Sequence, residues 1–352
     1  MMHLATLIAS FIFIYIIIYL KNNFSFLNEP PVSEKRKLHT TDVTRIGGIV
    51  FFSNLIILFY INDIYIKNIF IFGFTILILG LFEDIYQNIS KYFRLMLLFS
   101  LCAIFVDFNN FIIEDFEYNY LRNILDSHNY LKIFFSILGL VILINGFNFI
   151  DGLNGLLLGT SIIILITFAF YSLNDQSELL PIIIALLIPI IILFLINFFG
   201  GVILAGDGGS YYIGFILGSI SILMSNYGIL GSFEVACIIF YPVMEITCSI
   251  TRRILSFSNP LKPDGLHLHQ LLFRVMEYKY KNKSDFFSAK NLNSLSSIII
   301  LINLCLLIIS HYYLSAYFSN NALIFIMFCS VYLLAYNMLI SYCYKKNLFI
   351  SP

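Results

Sequence analysis

Long apolar runs separated by short polar segments constrain this chain more than any other feature of its sequence. A helix needs about 20 mostly apolar residues to cross a bilayer, and eleven runs approach that length. They occupy 4–20, 46–61, 65–82, 92–107, 131–147, 155–173, 179–196, 210–226, 232–251, 294–313 and 322–342. We therefore predict an all-α polytopic integral membrane protein with about 10 or 11 transmembrane helices. Residues 1–352 are expected to form a single membrane-embedded domain.

Composition supports the same fold class. Of the 352 residues, 60% are hydrophobic and 11% are charged, whereas soluble domains are about 45–50% apolar and about 25% charged. Lys plus Arg equals Asp plus Glu, at 20 each, so the bulk charge predicts no nucleic-acid partner. The six cysteines stand singly in apolar runs, which favours small buried hydrophobes over a metal or redox site.

The basic residues indicate the orientation of the chain. Cytoplasmic loops retain Lys and Arg, and 17 of the 20 fall on one face if the N-terminus is outside. The exceptions are Lys67, Arg122 and Lys132. We therefore predict an external N-terminus and two main cytoplasmic loops, 21–45 and 252–293. The chemistry of the protein is expected on that cytoplasmic face.

Two aspartates lie at positions that packing of the helices does not account for. No Lys or Arg occurs between Lys132 and Arg252, yet Asp151 and Asp207 each lie beside glycines at a junction between spans. Carboxylates at membrane depth are costly without a partner, and Mg²⁺ takes one or two carboxylates plus substrate phosphates. The segment 145–155 adds three amides and three glycines around Asp151. A polar turn with helix caps is the alternative interpretation.

Two further acidic segments face the same side. AGDGGS at 205–210 opens an apolar run, and the exposed N–H groups of a glycine-rich helix N-terminus favour a phosphate or metal–phosphate group. Glu83 and Asp84 stand side by side after the third run. They are either an interfacial solvated pair or a metal-binding or general-base pair for phosphoryl chemistry.

The two predicted cytoplasmic loops carry basic residues. Arg252 and Arg253 open the longer loop, which contains PDGLHLHQ at 263–270. No further ligands at zinc spacing accompany its histidines, so we favour contact between phosphate and His or Arg side chains. The N-terminal loop offers Arg36, Lys37, His39 and Arg45. These four residues are typical of a positive-inside signal, of a site for an anionic substrate, or of both.

Five segments in this order resemble the polyprenyl-phosphate N-acetylhexosamine-1-phosphate transferase family, the membrane enzymes of the WecA and MraY type in glycosyltransferase family 4. They are RKLHTTDVTRIGG at 36–48, GLFEDIYQNIS at 80–90, NGFNFIDGLNG at 145–155, NFFGGVILAGDGGS at 197–210 and PDGLHLHQLLFR at 263–274. The resemblance implies about ten or eleven helices and a Mg²⁺-dependent reaction. In that reaction a UDP-sugar gives its sugar-1-phosphate to undecaprenyl or another polyprenyl phosphate and releases UMP.

The resemblance also implies roles for individual residues. The expected catalytic residues are Glu83, Asp84, Asp151, Asp207, His267 and His269. The expected substrate-binding residues are Arg45, Asn148, Asn154, Asn197, Arg252 and Arg253. Asp207 and Asp84 are the expected metal ligands, for Mg²⁺ with Mn²⁺ as an alternative. The implied setting is a multi-pass protein of a bacterial cytoplasmic (inner) membrane, in contact with membrane lipid and with a homodimer as a family expectation.

Two positions depart from the family pattern. The acidic pair usually begins with Asp and here begins with Glu83, which keeps the charge but adds a methylene. Asn154 stands where the family often has a second aspartate, so a hydrogen-bonding role is expected there. Neither change alters the expected reaction class.

Three alternatives remain open at the level of sequence. A lipid or sugar transporter places ionisable residues in mid-span, and Glu245 is the clear candidate, close to Arg252 and Arg253 on its own helix. A catalytically silent scaffold would explain Glu83 and Asn154. A phospho-muramyl-pentapeptide transferase of peptidoglycan synthesis is the third alternative, although initiation of O-antigen, capsule or another envelope polysaccharide is favoured.

Overall fold

The structure is a computed structural model that describes residues 1–29, 42–87, 89–114, 116–175, 177–257, 265–280, 288–318 and 320–348. Sequence predictions that rest on Arg36, Lys37 and His39, on Pro263 and Asp264, or on segment 281–287 lie outside these residues. The α-helices are α1 Met2–Asn23, α2 Ile64–Tyr86, α3 Lys91–Asn109, α4 Asn119–Ser127, α5 Asn129–Ile150, α6 Leu156–Asn174, α7 Leu179–Leu195, α8 Gly206–Asn226, α9 Ser232–Ile238, α10 Phe240–Leu255, α11 Leu268–Tyr280, α12 Ala289–Tyr317 and α13 Asn321–Lys345. A 3₁₀ helix covers Ile46–Phe59, and one π-helical turn, Ile196–Gly200, extends α7.

The described residues contain nine helices long and apolar enough to cross a membrane, or ten if α9 and α10 together form one span. This confirms the predicted all-α polytopic fold, and the protein is a multi-pass integral membrane protein. The run predicted at 232–251 is not one straight helix, because α9 and α10 meet at an angle of 80°. The orientation of the bundle in the membrane stays a prediction.

The 3₁₀ helix Ile46–Phe59 accounts for a further predicted span. A 3₁₀ helix rises about 2.0 Å per residue, so 14 residues extend about 28 Å, close to the hydrocarbon thickness of about 30 Å. Gly48 N donates to Ala205 O at 2.9 Å, and Gly80 near the end of α2 packs against Gly208. Both ends of the 48–80 segment therefore meet the start of α8. Since α2 crosses the membrane, the 3₁₀ helix must cross it in the opposite direction.

Helix α8 forms the centre of the bundle although it is the least apolar of the nine spans. It contains more glycine and serine than an ordinary span, yet nearly all of its residues are buried inside the protein. Small residues permit this burial, because they let neighbouring backbones approach closely. A Cβ added to Gly80 would stand 2.5 Å from the Cα of Gly208. This close crossing brings the last turn of α2 onto the N-terminus of α8.

A short backbone ribbon fixes the approach to α8. Strands β1 (Asn28–Glu29) and β2 (Val43–Thr44) pair antiparallel, and Thr44 also forms a parallel bridge with Ile203. Thr44 N donates to Val202 O at 3.1 Å, and Leu204 N donates to Thr44 O at 2.8 Å. The segment 202–204 is therefore held against β2 immediately before α8 begins.

Candidate active site

Asp84 lies in the last turn of α2 and caps the N-terminus of α8. Its Oδ1 accepts a hydrogen bond from Asp207 N at 2.8 Å, and its Oδ2 accepts from Gly208 N at 2.9 Å. The first N–H groups of a helix have no partner within the helix and carry a partial positive charge. A carboxylate is therefore stabilised at this position, and Asp84, only 8% exposed, is held in one orientation.

Asp151 reaches the same helix end from the loop between α5 and α6. Its Oδ2 accepts from Gly206 N at 3.1 Å. Burial raises the pKa of Asp151 to about 7, while the Gly206 N–H and the positive charge of Arg45 oppose that rise. Gly206 has a φ of +73°, a left-handed conformation that side chains other than glycine rarely adopt. Its N–H is thereby available to Asp151.

These contacts correct the prediction of an open phosphate site at AGDGGS. The N–H groups of Gly206, Asp207 and Gly208 already donate to the carboxylates of Asp151 and Asp84. The helix N-terminus does bind anions, as its geometry requires, but the anions belong to the protein. A substrate phosphate would have to meet the side chains that surround this helix end.

Asp207 is held by partners from two other helices. Its Oδ1 accepts from Asn148 Nδ2 at 2.8 Å, and its Oδ2 accepts from Arg94 Nη1 at 2.7 Å. The Arg94 Nη1 atom also lies 3.6 Å from Glu83 Oε1. The guanidinium therefore joins Glu83 to Asp207. We refer to Glu83, Asp84, Asp151 and Asp207 as the acidic cluster.

Arg94 is the site residue that the sequence analysis missed. Nothing local in the sequence connects Arg94 to Asp207, which lies 113 positions away. The available signal was indirect: the stretch around Asp151 and Asp207 lacks cations, so its counter-charge had to come from elsewhere. Arg94, eleven positions after Glu83 and within the first turns of α3, supplies that charge.

The three predicted amide residues separate into different roles. Asn148 Nδ2 contacts Asp207 and also donates to Ser210 Oγ at 3.0 Å, so Asn148 belongs to the site. Asn197 instead braces the backbone, accepting from Gly155 N at 2.5 Å and donating to Ile203 O at 2.7 Å. Asn154 packs against Gly201. Substrate binding by Asn154 and Asn197 stays a prediction, and their observed contacts hold the loops around the cluster.

His267 and His269 lie at the start of α11, on another side of the 151–155 loop. Their rings are parallel within 6°, with centroids 5.5 Å apart, and we refer to them as the histidine pair. A Cβ added to Gly152 would stand 2.7 Å from His269 Nε2, so this nitrogen contacts the residue after Asp151. Burial lowers the pKa of His269, and Glu245 opposes that change. The histidine pair and the acidic cluster therefore meet at residues 151–152.

The two arginines at the end of α10 help to fix the segment that carries the histidine pair. Arg252 Nη1 donates to Leu266 O at 3.4 Å and contacts the Tyr336 hydroxyl. Tyr336 Oη itself donates to Leu266 O at 3.0 Å. Arg253 is buried. Arg45 precedes the 3₁₀ helix and acts electrostatically on Asp151. Substrate binding by these three arginines stays a prediction.

The acidic cluster fits a magnesium ion bound jointly by protein and substrate. Mg²⁺ usually keeps waters and takes one or two carboxylates plus substrate phosphates. Glu83 Oε2 is buried and has no hydrogen-bond partner among the described residues, which leaves one uncommitted carboxylate oxygen in the cluster. Among the described residues, no group of three or more His, Cys, Asp or Glu side chains is arranged to hold a metal ion by itself. The donor set therefore suits a metal whose coordination a phosphate-bearing substrate completes.

Comparison with known proteins finds similar membrane transferases. The signature of Glycosyl transferase family 4 matches residues 66–225, which contain all four acidic-cluster residues. A probable undecaprenyl-phosphate N-acetylglucosaminyl 1-phosphate transferase of Bacillus subtilis is 29% identical over 252 residues, covering 67% of this chain and 67% of that protein.

Two undecaprenyl-phosphate alpha-N-acetylglucosaminyl 1-phosphate transferases are also similar. The protein of Thermotoga maritima is 26% identical over 249 residues, covering 71% of this chain and 73% of its own length. The protein of Escherichia coli O157:H7 is 25% identical over 258 residues, covering 68% of both chains. The resemblance predicted from the five sequence segments is confirmed, since the chain is similar to these transferases and matches the Glycosyl transferase family 4 signature over residues 66–225.

Proposed function

We propose that this protein transfers an N-acetylhexosamine-1-phosphate from a UDP-sugar to undecaprenyl or another polyprenyl phosphate, releasing UMP. The names of its relatives support a polyprenyl-phosphate acceptor and a sugar-1-phosphate as the transferred group. The observation that carries the proposal is the arrangement around Asp207, where carboxylates, an arginine and an amide converge on one helix end. Such a site suits phosphoryl transfer, in which catalysis is mostly positioning and charge neutralisation.

The side chains of the cluster divide the work of this reaction. Asp84 and Asp151 fix the start of α8, and Asn148 sets the orientation of the Asp207 carboxylate. Arg94, which bridges Glu83 and Asp207, provides a guanidinium suited to phosphate oxygens. Asp207 and Asp84 would hold Mg²⁺, or Mn²⁺ in its place. The chemistry that the metal supplies when bound is neutralisation of charge on the donor diphosphate and the leaving UMP.

The acceptor needs little activation by a base. The second pKa of a phosphate monoester is about 6, so the lipid phosphate is mostly ionised at neutral pH. Its oxygen attacks the sugar-side phosphorus of the donor, the bond to the UMP oxygen breaks, and UMP leaves with the electron pair. The protein must bring two anions together, which explains why cations and carboxylates alternate in the site.

The setting follows from the membrane fold and the charge pattern. We place the acidic cluster on the cytoplasmic face of a bacterial inner membrane, because the Lys and Arg distribution favours that orientation. The isoprenoid tail of the acceptor then lies among lipid-facing helices, with its phosphate at the headgroup level. A homodimer completes the proposal as a family expectation.

The structure weakens the transporter alternative. That alternative depended on Glu245 as a mid-span charge, and Glu245 instead faces His267 and His269. A charge paired within the site needs no transport pathway to explain it. The alternative of a phospho-muramyl-pentapeptide donor is tested by the transfer assay described next, which includes both kinds of donor.

The experiment is a transfer assay on purified protein with undecaprenyl phosphate, Mg²⁺ and a panel of labelled UDP-sugars that includes UDP-N-acetylmuramyl-pentapeptide. We expect lipid-linked label with one UDP-N-acetylhexosamine, lost on addition of EDTA and restored by Mg²⁺. The matched variants are Asp207→Asn, which should be inactive, and Asp175→Asn, which removes an exposed acid and should be active. Folded protein that turns over none of these donors would contradict the proposal, and turnover of the muramyl donor alone would correct it.

A further inference from the structure

Glu245 is a buried carboxylate that the proposed reaction leaves without a role. It lies in the middle of α10 and is only 2% exposed. A carboxylate at membrane depth is costly unless it is paired. Of the basic residues on its own helix, Arg252 extends to Leu266 O and Tyr336. The partners that surround Glu245 come from a different segment.

Those partners are the two rings of the histidine pair. Glu245 Oε2 lies 3.3 Å from His267 Nδ1 and accepts from Leu268 N at 3.4 Å. Glu245 Oε1 lies 3.8 Å from His269 Nδ1. One carboxylate therefore faces the same ring atom of both histidines. The parallel stacking of the two rings is the arrangement expected when a single group sets both orientations.

We propose that Glu245 is the positioning residue for His267 and His269 in the sugar-phosphate transfer. An ionised carboxylate only accepts hydrogen bonds, so the nitrogen that bonds to it must carry the proton. A carboxylate that fixes the tautomer and the ring orientation of a histidine is a recurring feature of functional sites. Glu245 thereby fixes the His267 ring by a hydrogen bond, while its charge, 3.8 Å from His269 Nδ1 and beyond hydrogen-bond distance, favours the orientation that turns this nitrogen towards α10. Its catalytic consequence rests on the proposed function, whereas the orientation of the rings does not.

The position of His269 Nε2 supports this assignment. It contacts Gly152, beside Asp151, and neither ring nitrogen of His269 has a hydrogen-bond partner among the described residues. Buried polar atoms without partners are rare and call for an explanation. A sugar hydroxyl of the donor next to the 151–155 loop would donate to the unprotonated Nε2, while Glu245 orients the ring from the opposite side.

A double-mutant cycle tests whether Glu245 acts through the histidines. We expect Glu245→Gln and His269→Asn each to lower kcat by about 10–100-fold, as loss of an orienting partner typically does, with little change in KM. The double variant should be no slower than the slower single variant, because both changes remove the same function. Losses that multiply would show that Glu245 has an independent structural role and would overturn the proposal.

Control variants separate positioning from folding. Glu234→Gln changes a glutamate of the neighbouring α9 that accepts from Gly231 N at 2.8 Å, and its kcat should match that of the wild type. Glu245→Asp keeps the charge but withdraws it by about 1.5 Å, one carbon–carbon bond, and should recover part of the activity. Should Glu245→Gln fail to fold, Glu245→Asp in the same cycle still decides between coupled and multiplying losses.

A second measurement is independent of activity. Protein labelled with ¹⁵N-histidine reports which ring nitrogen carries the proton, with His267 and His269 assigned from single His→Asn variants. We expect Nδ1-protonated rings in the wild type and altered signals for both rings in Glu245→Gln but not in Glu234→Gln. Unchanged signals in Glu245→Gln would overturn the proposal whatever the activity. If the signals change in Glu245→Gln but the wild type transfers no sugar phosphate, the proposed function alone would be contradicted.

Discussion

The acidic cluster and the histidine pair are held in place in different ways. The carboxylates of Asp84, Asp151 and Asp207 each accept hydrogen bonds, and the backbone of α8 provides three of the donors. The histidine pair instead faces a single carboxylate, that of Glu245, and His269 has no hydrogen-bonded ring nitrogen among the described residues. Three of the four carboxylates in the acidic cluster are therefore held by internal hydrogen bonds, with Glu83 Oε2 left unbonded among the described residues, whereas both ring nitrogens of His269 are left unbonded there.

The difference teaches how such a site can combine precision with recognition. Reacting groups must be held within a fraction of an ångström by their surroundings, and the buried start of α8 provides that rigidity. A group that recognises a variable part of a substrate needs free hydrogen-bonding capacity. This difference agrees with the proposal that the acidic cluster carries phosphoryl transfer and that the histidine pair contacts the donor.

The largest expected effect is loss of the Asp207 charge. Asp207→Asn keeps the size of the side chain but removes the charge that Arg94 and Asn148 face. We expect kcat to fall by on the order of 10³-fold or more, as for loss of a central charge in phosphoryl transfer. The fall is measured in the transfer assay beside Asp175→Asn. A smaller fall than that of His269→Asn would reverse the division between the acidic cluster and the histidine pair.

The next effect is expected for Asp84, where activity and stability should fall together. Asp84→Asn places an amide against two backbone N–H groups, so at least one loses its acceptor. A buried unsatisfied group costs about 1–3 kcal/mol, and we expect about a 10²-fold fall in kcat with the shifted start of α8. Thermal unfolding in detergent, compared with Asp207→Asn, checks the pairing. Unchanged Tm would show that Asp84 does not support α8.

Substitution of Arg94 tests whether the acidic cluster needs a positive charge. We expect Arg94→Gln to lower kcat/KM by about 10–100-fold, since an arginine–phosphate or arginine–carboxylate contact is charge-assisted and directional. Arg94→Lys should recover only part of this, because one ammonium does not bridge Glu83 and Asp207 as a guanidinium does. Steady-state kinetics over both substrates measure the effect. Full activity of Arg94→Gln would show that Arg94 has no role in the reaction.

Asn197 provides a contrast within the predicted site. Asn197→Ala leaves Gly155 N and Ile203 O without their side-chain partner, at a cost of about 1–3 kcal/mol for a buried group. We expect a lower Tm with kcat close to the wild type in folded protein, and no such change in Asn174→Ala, an exposed residue. A specific rise in KM at unchanged Tm would instead establish Asn197 as a substrate-binding residue.

A further expected effect is a pH dependence of stability from Asp151. Its folded pKa of about 7 exceeds the value of about 3.9 in an unfolded chain, so the folded state binds more protons between these values. The free energy of unfolding should therefore fall as pH rises through this window. Thermal unfolding of metal-free wild type and Asp151→Asn from pH 5 to 8 measures it. A difference in Tm that stays constant with pH would contradict this pKa.

Hydropathy predicted most of the fold because a segment that crosses lipid must be apolar and must satisfy its own backbone hydrogen bonds as a helix. It could not predict that Ile46–Phe59 is a 3₁₀ helix, since an apolar run does not distinguish a 3₁₀ helix from an α-helix. The bend between α9 and α10 was missed for a similar reason. Apolar residues continue directly on both sides of Ile239, so hydropathy marks no break there.

Sequence order also located the acidic cluster, because its residues lie in short polar segments between spans. The partners could not be predicted, since they come from distant helices: Arg94 meets Asp207 across 113 positions. Glu245 was noticed as a mid-span charge, but its neighbours in sequence, Arg252 and Arg253, pointed to the wrong partners. A helix N-terminus predicts an anion without telling whether the anion is a substrate or the chain's own carboxylate.

The most direct test of the central claim follows the phosphorus atoms of the donor. UDP-sugar labelled with ³²P only in the sugar-side phosphate is incubated with undecaprenyl phosphate, Mg²⁺ and either wild type or Asp207→Asn. The account predicts that the label moves into the lipid extract with wild type, leaving unlabelled UMP, and stays in the aqueous phase with the folded variant. Label that remains in UDP while the sugar reaches the lipid, or equal transfer by the variant, would contradict it.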